Sequence, residues 1–522
     1  MKAVLWSAAW CVGVLACSAP PKAKTIGPVV PPAAALATAQ RVASGELPSV
    51  ARWRAHLTDE LMPFWMTPDA LGSPVGNFPT FRCNDGTAFR PAAPCPELAE
   101  AGGWIKQELG RDYTRMKSRQ AFVYGVAYHV TGQEPYLAAA AAGVAWLRQH
   151  AYERDTGSAV SYWENGKPQP PAPQRTAQDL AYAQLGLAFY YYLTRDPEVL
   201  ADLVRLEQYM MKAYWDPAPP PAGGQLRWVL SDGGAPGESQ RQELVSQLDQ
   251  INAYMLLLAP LLEDPAQSAA WQRDMLLLAR VIKDRYFAPE HGMFWGTLHD
   301  PAQRKLGSRH TDFGHSMKSL WMLYLVGQAT GQADLVDFAR PHVAPLLARA
   351  AQPSGCWASG LRADGKLDAG SQWWVFAELD QAAATLALRE PAEAGRAPSG
   401  YVKHLPRSYA CWFERFVDPK GGDTWPWVSA DWTPTMFAQG GPPKAFHWKS
   451  GYHAAEHALV SLITTAGLQG ERLPLYFAFV SPPGAGRVQP YYFRATITDE
   501  REHPLPSLPR LRGRRVEFAQ IQ

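Results

Sequence analysis

Three stretches of this 522-residue chain gather histidine, arginine and tryptophan at helical spacing. RMKSRQAFVYGVAY (115–128) sets Arg119 in an otherwise apolar pattern, with Phe122 and Tyr124 close by. A buried arginine is costly unless it meets an anion or an acceptor-rich ligand. Arg119 therefore reads either as a binding group or as half of a structural ion pair. TDFGHSMKSLWML (311–323) places His315 after Gly314, with Lys318 and Trp321 following along the helix. FHWKSGYHAAEHAL (446–459) carries Trp448, Tyr452, His453, Glu456 and His457. GSQWWVFAELDQA (370–382) puts Trp373 and Trp374 beside Glu378, and ELVSQLDQINAY (243–254) puts Asp249 and Asn252 on one helical face.

These residue types suit a site for a flat, acceptor-rich ligand. Histidine exchanges protons near neutral pH, arginine holds negative charge, and tryptophan offers a flat apolar face. Each has an ordinary role as well. A lone histidine is commonly a hydrogen-bonded structural residue, and one of two adjacent tryptophans normally faces the core. Two other chemistries fit the same residues. His453-Ala454-Ala455-Glu456-His457 matches the H-x-x-E-H pattern of inverted zinc proteases, although no third ligand stands out. Asp249, Asp312 and Glu378 could serve glycosidic cleavage, which needs carboxylates paired across a cleft. Nothing in the sequence pairs them.

Positioning such groups needs a framework, and the apolar period from residue 35 onward is mostly helical. The pattern predicts helices over 35–63, 114–131, 134–151, 177–194, 197–214, 239–262, 265–286, 313–330, 332–351, 371–388, 401–416 and 445–466. Short connections such as TGQEP (131–135) and TRDPE (194–198) alternate with long Gly-, Pro- and Trp-rich ones over 152–176, 215–238, 287–312 and 417–444. Antiparallel helix pairs closing into a ring produce that alternation, with the long loops at one mouth, where loops usually carry a site. The expected fold is all-α, an (α/α)6 barrel over residues 35–468. Residues 469–522 differ: LYFAFV (475–480), YYFRATI (491–497) and RRVEFAQI (514–521) have strand composition, predicting a small β appendage on the ring.

Hydrophobic residues make up 47% and charged residues 19%, enough to bury a large core. The net charge of +2 argues against an electrostatic grip on nucleic acid. Residues 1–16 read as a signal peptide, and Val14-Leu15-Ala16-Cys17 reads as a lipobox with Cys17 as the lipidated residue. Ser18 after that cysteine would, in a Gram-negative bacterium, direct the protein to the outer membrane, facing the periplasm. Membrane contact is then expected only through this anchor, and residues 17–34 form a Pro-rich tether. Setting aside Cys11 and Cys17, an even remainder permits two disulfides. Cys83–Cys95 would close a Gly/Pro-rich loop, and Cys356–Cys411 follows by elimination. The spacings do not resemble a zinc-binding cysteine cluster.

The order of the motifs resembles the N-acylglucosamine 2-epimerase family, which includes cellobiose 2-epimerases and mannose-type aldose–ketose isomerases. LTDELMPFW (57–65) is similar to the family's opening helix. The pair Arg119-Gln120, FGHSMKSLW (313–321), SQWWVFAE (371–378) and WKSGYH (448–453) resemble its later motifs in the same order. The resemblance implies an (α/α)6 barrel with a small-molecule carbohydrate site in one mouth and no metal or organic cofactor. It implies His315 and His453 as the catalytic acid–base pair for an enediol route at carbon 2, with Arg119 stabilising negative charge. It also implies Trp321, Trp373, Trp374 and Trp448 as stacking faces, with Lys318, Glu378 and Asp249 lining the same site. The chain departs from the family pattern where that pattern has Glu at Lys318, Arg at Glu456, His at Asp249 and Glu at Asn252. The two opposite changes suggest an ion pair of reversed polarity between Lys318 and Glu456; alternatively, Lys318 faces an acidic sugar. A glycan-binding lipoprotein without catalysis, or a bond-cleaving barrel, remains a second reading of the same residues.

Overall fold

The computed structural model describes residues 46–234, 236–390, 400–430, 442–484 and 487–522. The leader over 1–16, Cys17, the tether over 17–34 and the start of the first predicted helix lie outside the described residues. The chain continues at Ser49, whose Oγ accepts from the Arg52 amide at 3.1 Å and caps helix α1 (Val50–Ala55). That helix runs through a π-helical turn, His56–Leu61, into Met62–Trp65.

Among the described residues, six helices form a closed inner ring. They are α2 (Thr114–Thr131), α4 (Ala177–Thr194), α6 (Leu244–Gln250, continued by Ile251–Met255 and Leu256–Leu258), α8 (Phe313–Thr330), α10 (Trp373–Arg389) and α12 (Tyr452–Gln469). Each packs on the next, and α12 returns to α2. The outer layer is α1 with α3 (Glu134–His150), α5 (Pro197–Tyr209), α7 (Pro265–Val281), α9 (Ala333–Ala350) and α11 (Leu405–Cys411). The inner helices are buried on nearly every side, whereas the outer ones bury a single stripe. The fold is therefore an (α/α)6 barrel.

The ring is tight because small residues sit where helices cross. A Cβ on Gly186 would stand 2.3 Å from the Ser118 carbonyl oxygen, so α4 could not approach α2 with any larger residue there. Ser118 Oγ donates to Ala183 O at 3.0 Å and accepts from the Gly186 amide at 2.8 Å, stitching the crossing.

Long loops lead into the N-terminus of each inner helix and so gather at one mouth. Short turns join α2 to α3, α4 to α5 and α8 to α9 at the opposite end. The mouth loops fold into two- and three-residue strand pairs, such as Phe287–Ala288 with Met293–Phe294 and Ser371–Gln372 with Trp427–Val428. Disulfides join Cys83 to Cys95 and Cys356 to Cys411.

After α12, Gly470 turns in the left-handed region (φ 67°) and the chain enters a three-stranded antiparallel sheet. Its strands are β1 (Leu473–Phe479), β2 (Thr496–His503) and β3 (Arg512–Ala519), with β3 central. β1 lies on α2 and α4, and Tyr128 Oη donates to Phe477 O at 2.8 Å. β2 is an exposed edge of charged residues, which discourages pairing with other chains. The strand predicted over 491–497 is not formed as such. Tyr491, Tyr492 and Phe493 turn into the barrel end, and the strand begins at Thr496. Burial of three aromatic rings outweighs their strand propensity. Among the described residues no helix is long and apolar enough to cross a membrane.

Candidate functional site

The inner helices begin at the mouth, so the positive ends of their dipoles converge there. His315 lies in the first turn of α8. Asp312 caps that helix through Oδ1, which accepts from the His315 amide at 2.8 Å, while its Oδ2 stands 2.7 Å from His315 Nδ1. One carboxylate thus starts the helix and orients the imidazole. The His315 ring meets Trp374 edge-on at 4.6 Å and His310 at 4.7 Å. Gly314 makes the first contact possible: a Cβ there would stand 2.5 Å from Trp374 Cζ3.

His453 lies in the first turn of α12, its Nδ1 3.6 Å from Glu378 Oε1. Its ring packs on Tyr452 at 4.4 Å and stands 6.2 Å from both Trp373 and Trp374. Burial, reinforced by Lys318, Arg119 and Lys449, pushes its pKa well below a histidine's ordinary value. His453 is therefore neutral at neutral pH and can accept a proton. Both imidazoles border Trp374, and each has a carboxyl group on its Nδ1 side.

Deeper in the lumen, Lys318 Nζ donates to Asp249 Oδ1 at 3.0 Å and Tyr182 Oη at 3.2 Å, and stands 3.8 Å from Glu378 Oε1. Asp249 also accepts from Gln178 at 2.8 Å and Tyr182 at 3.0 Å. Burial alone would discharge Lys318, but Asp249, with Tyr182 beside it, holds it well above a lysine's ordinary value. The expected Lys318–Glu456 pair does not form. Asp249 on α6 takes the ammonium, and Glu456 accepts from Tyr491 Oη at 2.7 Å. Neither oxygen of the fully buried Glu378 has a hydrogen bond. Burial, together with Glu456 and Asp249, pushes its pKa up to about 8, so it keeps a proton at neutral pH.

Arg119 donates to Trp448 O at 2.9 Å and lies 3.9 Å over the Tyr182 ring. Its buried Nε has no partner, and among the described residues it has no carboxylate within ion-pair distance. Asn252 donates to Tyr452 Oη at 2.9 Å and keeps a buried Oδ1 without a partner. Trp374 and Trp448 are half-buried and offer surface; Trp373 is buried. Trp321 is a correction. It lies fully buried against Tyr492, rings 6.0 Å apart, because its place on α8 carries it to the barrel floor, so it has no face open to a sugar.

The zinc-protease pattern also fails. His457 Nε2 pairs with Asp380 Oδ2 at 3.0 Å and packs on Trp412, away from His453. Glu378, His453 and Glu456 do bring donor atoms within 4.8 Å of one another, but the Lys318 ammonium already stands as the cation beside Glu378. Asp312 and Asp249 are held by His315 and Lys318, so they do not form a carboxylate pair across the cleft. Sequence reasoning missed Tyr182, Gln178, Tyr491 and the link of Asp312 to His315. Only the last had a signal, the Asp-x-x-His spacing of a helix cap.

Residues 98–448 match the family model described as N-acylglucosamine 2-epimerase. A cellobiose 2-epimerase of Bacteroides fragilis is 22% identical over 357 residues, covering 65% of this chain and 84% of that one. Among solved structures, a cellobiose 2-epimerase from Spirochaeta thermophila superposes with a TM-score of 0.63 at 18% identity, covering 84% of this chain and 100% of that one. A D-mannose isomerase gives 0.62 at 18% identity, covering 80% and 99%. At such identities these structures speak for the fold.

Proposed function

The chain belongs to the N-acylglucosamine 2-epimerase family, and from that premise we propose that it moves a proton at carbon 2 of a reducing sugar. The outcome is epimerisation or aldose–ketose isomerisation. The observation that carries this reading is the pair of imidazoles flanking Trp374, each with a carboxyl group beside Nδ1.

In this reading the open-chain sugar enters with its carbonyl toward Arg119. Neutral His453 takes the proton from carbon 2, and the electron pair moves onto the carbonyl oxygen, giving an enediolate. Arg119, with unused donor capacity and no carboxylate partner among the described residues, stabilises that charge, helped by the converging helix N-termini. A proton returned to carbon 2 from the His315 side gives the epimer; one delivered to carbon 1, with the O2 proton passing to O1, gives the ketose. Unpartnered polar atoms on Asn252 and Glu378 suit a polyol. The test is incubation of the protein with reducing mono- and disaccharides, neutral and acidic, in deuterated water. Exchange at carbon 2 that a His315→Ala, His453→Ala variant loses is the expected result. Silence across the whole panel would abandon the reading in favour of a glycan-binding barrel.

We also propose that the protein is lipid-anchored at the cell envelope through Cys17. The lipobox supports this, and two disulfides suit an oxidising compartment. Labelled palmitate should enter the expressed chain and not its Cys17→Ala variant; equal labelling of both would refute the anchor.

A further inference from the structure

The floor of the barrel is closed by residues that no barrel helix supplies. Between β1 and β2 the chain crosses the ends of the inner helices. Tyr192 Oη on α4 donates to Gln489 O at 2.7 Å, Arg195 donates to Arg487 O at 2.8 Å, and Tyr492 Oη donates to Asn252 O at 3.3 Å. Within this crossing Tyr491 has a left-handed backbone, φ 55°. That conformation costs a non-glycine residue about 1–2 kcal/mol and persists only where its surroundings impose it. They do so here: the Tyr491 amide donates to Tyr192 Oη at 2.9 Å and its carbonyl accepts from Gln489 at 2.9 Å. The result aims a phenol hydroxyl into the lumen, at Glu456.

We propose that Tyr491 is a positioning residue for the proton transfer at this site: its hydroxyl fixes the Glu456 carboxylate and thereby decides which of two buried carboxyl groups beneath His453 carries the negative charge. The consequence for turnover rests on the reading given above; the positioning itself does not.

Glu456 is fully buried, one helical turn from His453 on α12. The groups facing it are Tyr452 and His453 on its own helix, Glu378 and Gln381 on α10, Lys318 on α8, and Tyr491 and Tyr492 from the extension. Two neighbouring buried carboxyls cannot both ionise cheaply. Glu456 has a phenol donor; Glu378 has no hydrogen bond. Burial raises both, and the Tyr491 bond, ahead of Lys318, Tyr452 and Gln381, pulls Glu456 part of the way back. In this proposal the Tyr491 bond tips the charge toward Glu456, against the pull of the Lys318 ammonium 3.8 Å from Glu378, and leaves the proton on Glu378, whose Oε1 is the one 3.6 Å from His453 Nδ1. A packing role would be met equally by phenylalanine, so the hydroxyl is the part to test.

Without that hydroxyl the charge shifts toward Glu378, and a carboxylate beside Nδ1 raises the His453 midpoint. The experiment is an NMR titration of histidine ring carbons in the whole mature chain without sugar, with His453 assigned by a His453→Asn variant. Tyr491→Phe should raise the His453 midpoint by about 0.5–1 unit. Glu456→Gln should move it the same way, and the double variant should add little. Tyr128→Phe, which removes a bond between α2 and β1 but keeps the Tyr491–Glu456 bond, should leave it in place. In the exchange assay Tyr491→Phe should lower kcat about tenfold with KM little changed. An unchanged midpoint in both Tyr491→Phe and Glu456→Gln overturns the proposal, whatever their melting temperatures. The titration needs no turnover, so it tests the role of Tyr491 even if the protein exchanges no sugar proton.

Discussion

Asp312 does two things with one carboxylate, and they can be separated. Asparagine caps a helix about as well as aspartate. In Asp312→Asn the single amide oxygen can cap the His315 amide, which turns the NH2 group toward Nδ1 and disfavours the tautomer the carboxylate holds. The expected outcome is a loss of stability under about 1 kcal/mol with a fall in carbon-2 exchange of about a hundredfold. Wild-type exchange in a folded Asp312→Asn protein would show that His315 needs no orienting partner. That these residues stand on the inner helices was legible. His315, His453, Arg119 and Trp374 stand in motifs whose order marks the family. Their partners were not, because pairing across a ring depends on which helices face each other. Lys318 found Asp249 on α6 rather than Glu456 on α12, and Trp321 fell below the lumen because of its depth along α8. Tyr491 lies where no motif reaches.

At the scale of elements, the 3.6 period located the helices because inner and outer ones differ in how much of their circumference is apolar, not in whether they are helical. The boundaries moved where polar residues have work in the loops. The helix predicted from 445 starts at Tyr452, since Lys449 turns to Asp423 at 2.7 Å instead. A repeat was also present in the sequence and easy to overlook. Tyr214-Trp215-Asp216-Pro217, Tyr286-Phe287-Ala288-Pro289 and Phe416-Val417-Asp418-Pro419 each follow an outer helix. In all three the helix ends in a π-helical turn whose last residue is the aromatic, and the chain then leaves toward the mouth. The aromatic buries and ends the helix, and the proline three residues on keeps it from resuming as a mouth loop begins. Three such exits are the ring's periodicity written in four residues. The β appendage was legible as composition, but its 491–497 segment was not. Strand propensity there competes with a hydrophobic floor, and only the barrel's presence decides the competition.

For the whole molecule, the buried titratable groups set a pH optimum that the net charge of +2 does not suggest. Burial lowers His129 and His310 to about 4 and, with Arg115 beside it, His447 to about 3. Their folded values lie below the unfolded one of 6.5, so the unfolded chain takes up protons first. Each therefore removes stability as pH falls from about 6.5 toward 4. Two carboxyls act in the opposite sense. Burial, with Asp274 facing it from α7, raises Glu207 on α5 to about 8, and Glu378 reaches about 8 in the lumen. The fold keeps these protons while the unfolded chain loses them, so each removes stability as pH rises from 4.5 through about 8. One group changes stability by at most about 1.4 kcal/mol per pH unit. His453 is lowered in the same sense and Glu456 is raised like Glu378, so the lowered histidines outweigh the raised carboxyls below 6.5, and the raised carboxyls act above it. The melting temperature should therefore peak near pH 6.5 and fall on both sides, as scanning calorimetry across about pH 4.5–8.5 would show. Glu207 lies between outer helices, away from the lumen, so Glu207→Gln should flatten part of the alkaline fall and leave the acid limb unchanged. A melting temperature that climbs steadily to about pH 8.5 would mean that Glu207 and Glu378 ionise freely in the fold, and the protonated Glu378 beside His453 would have to be given up with them.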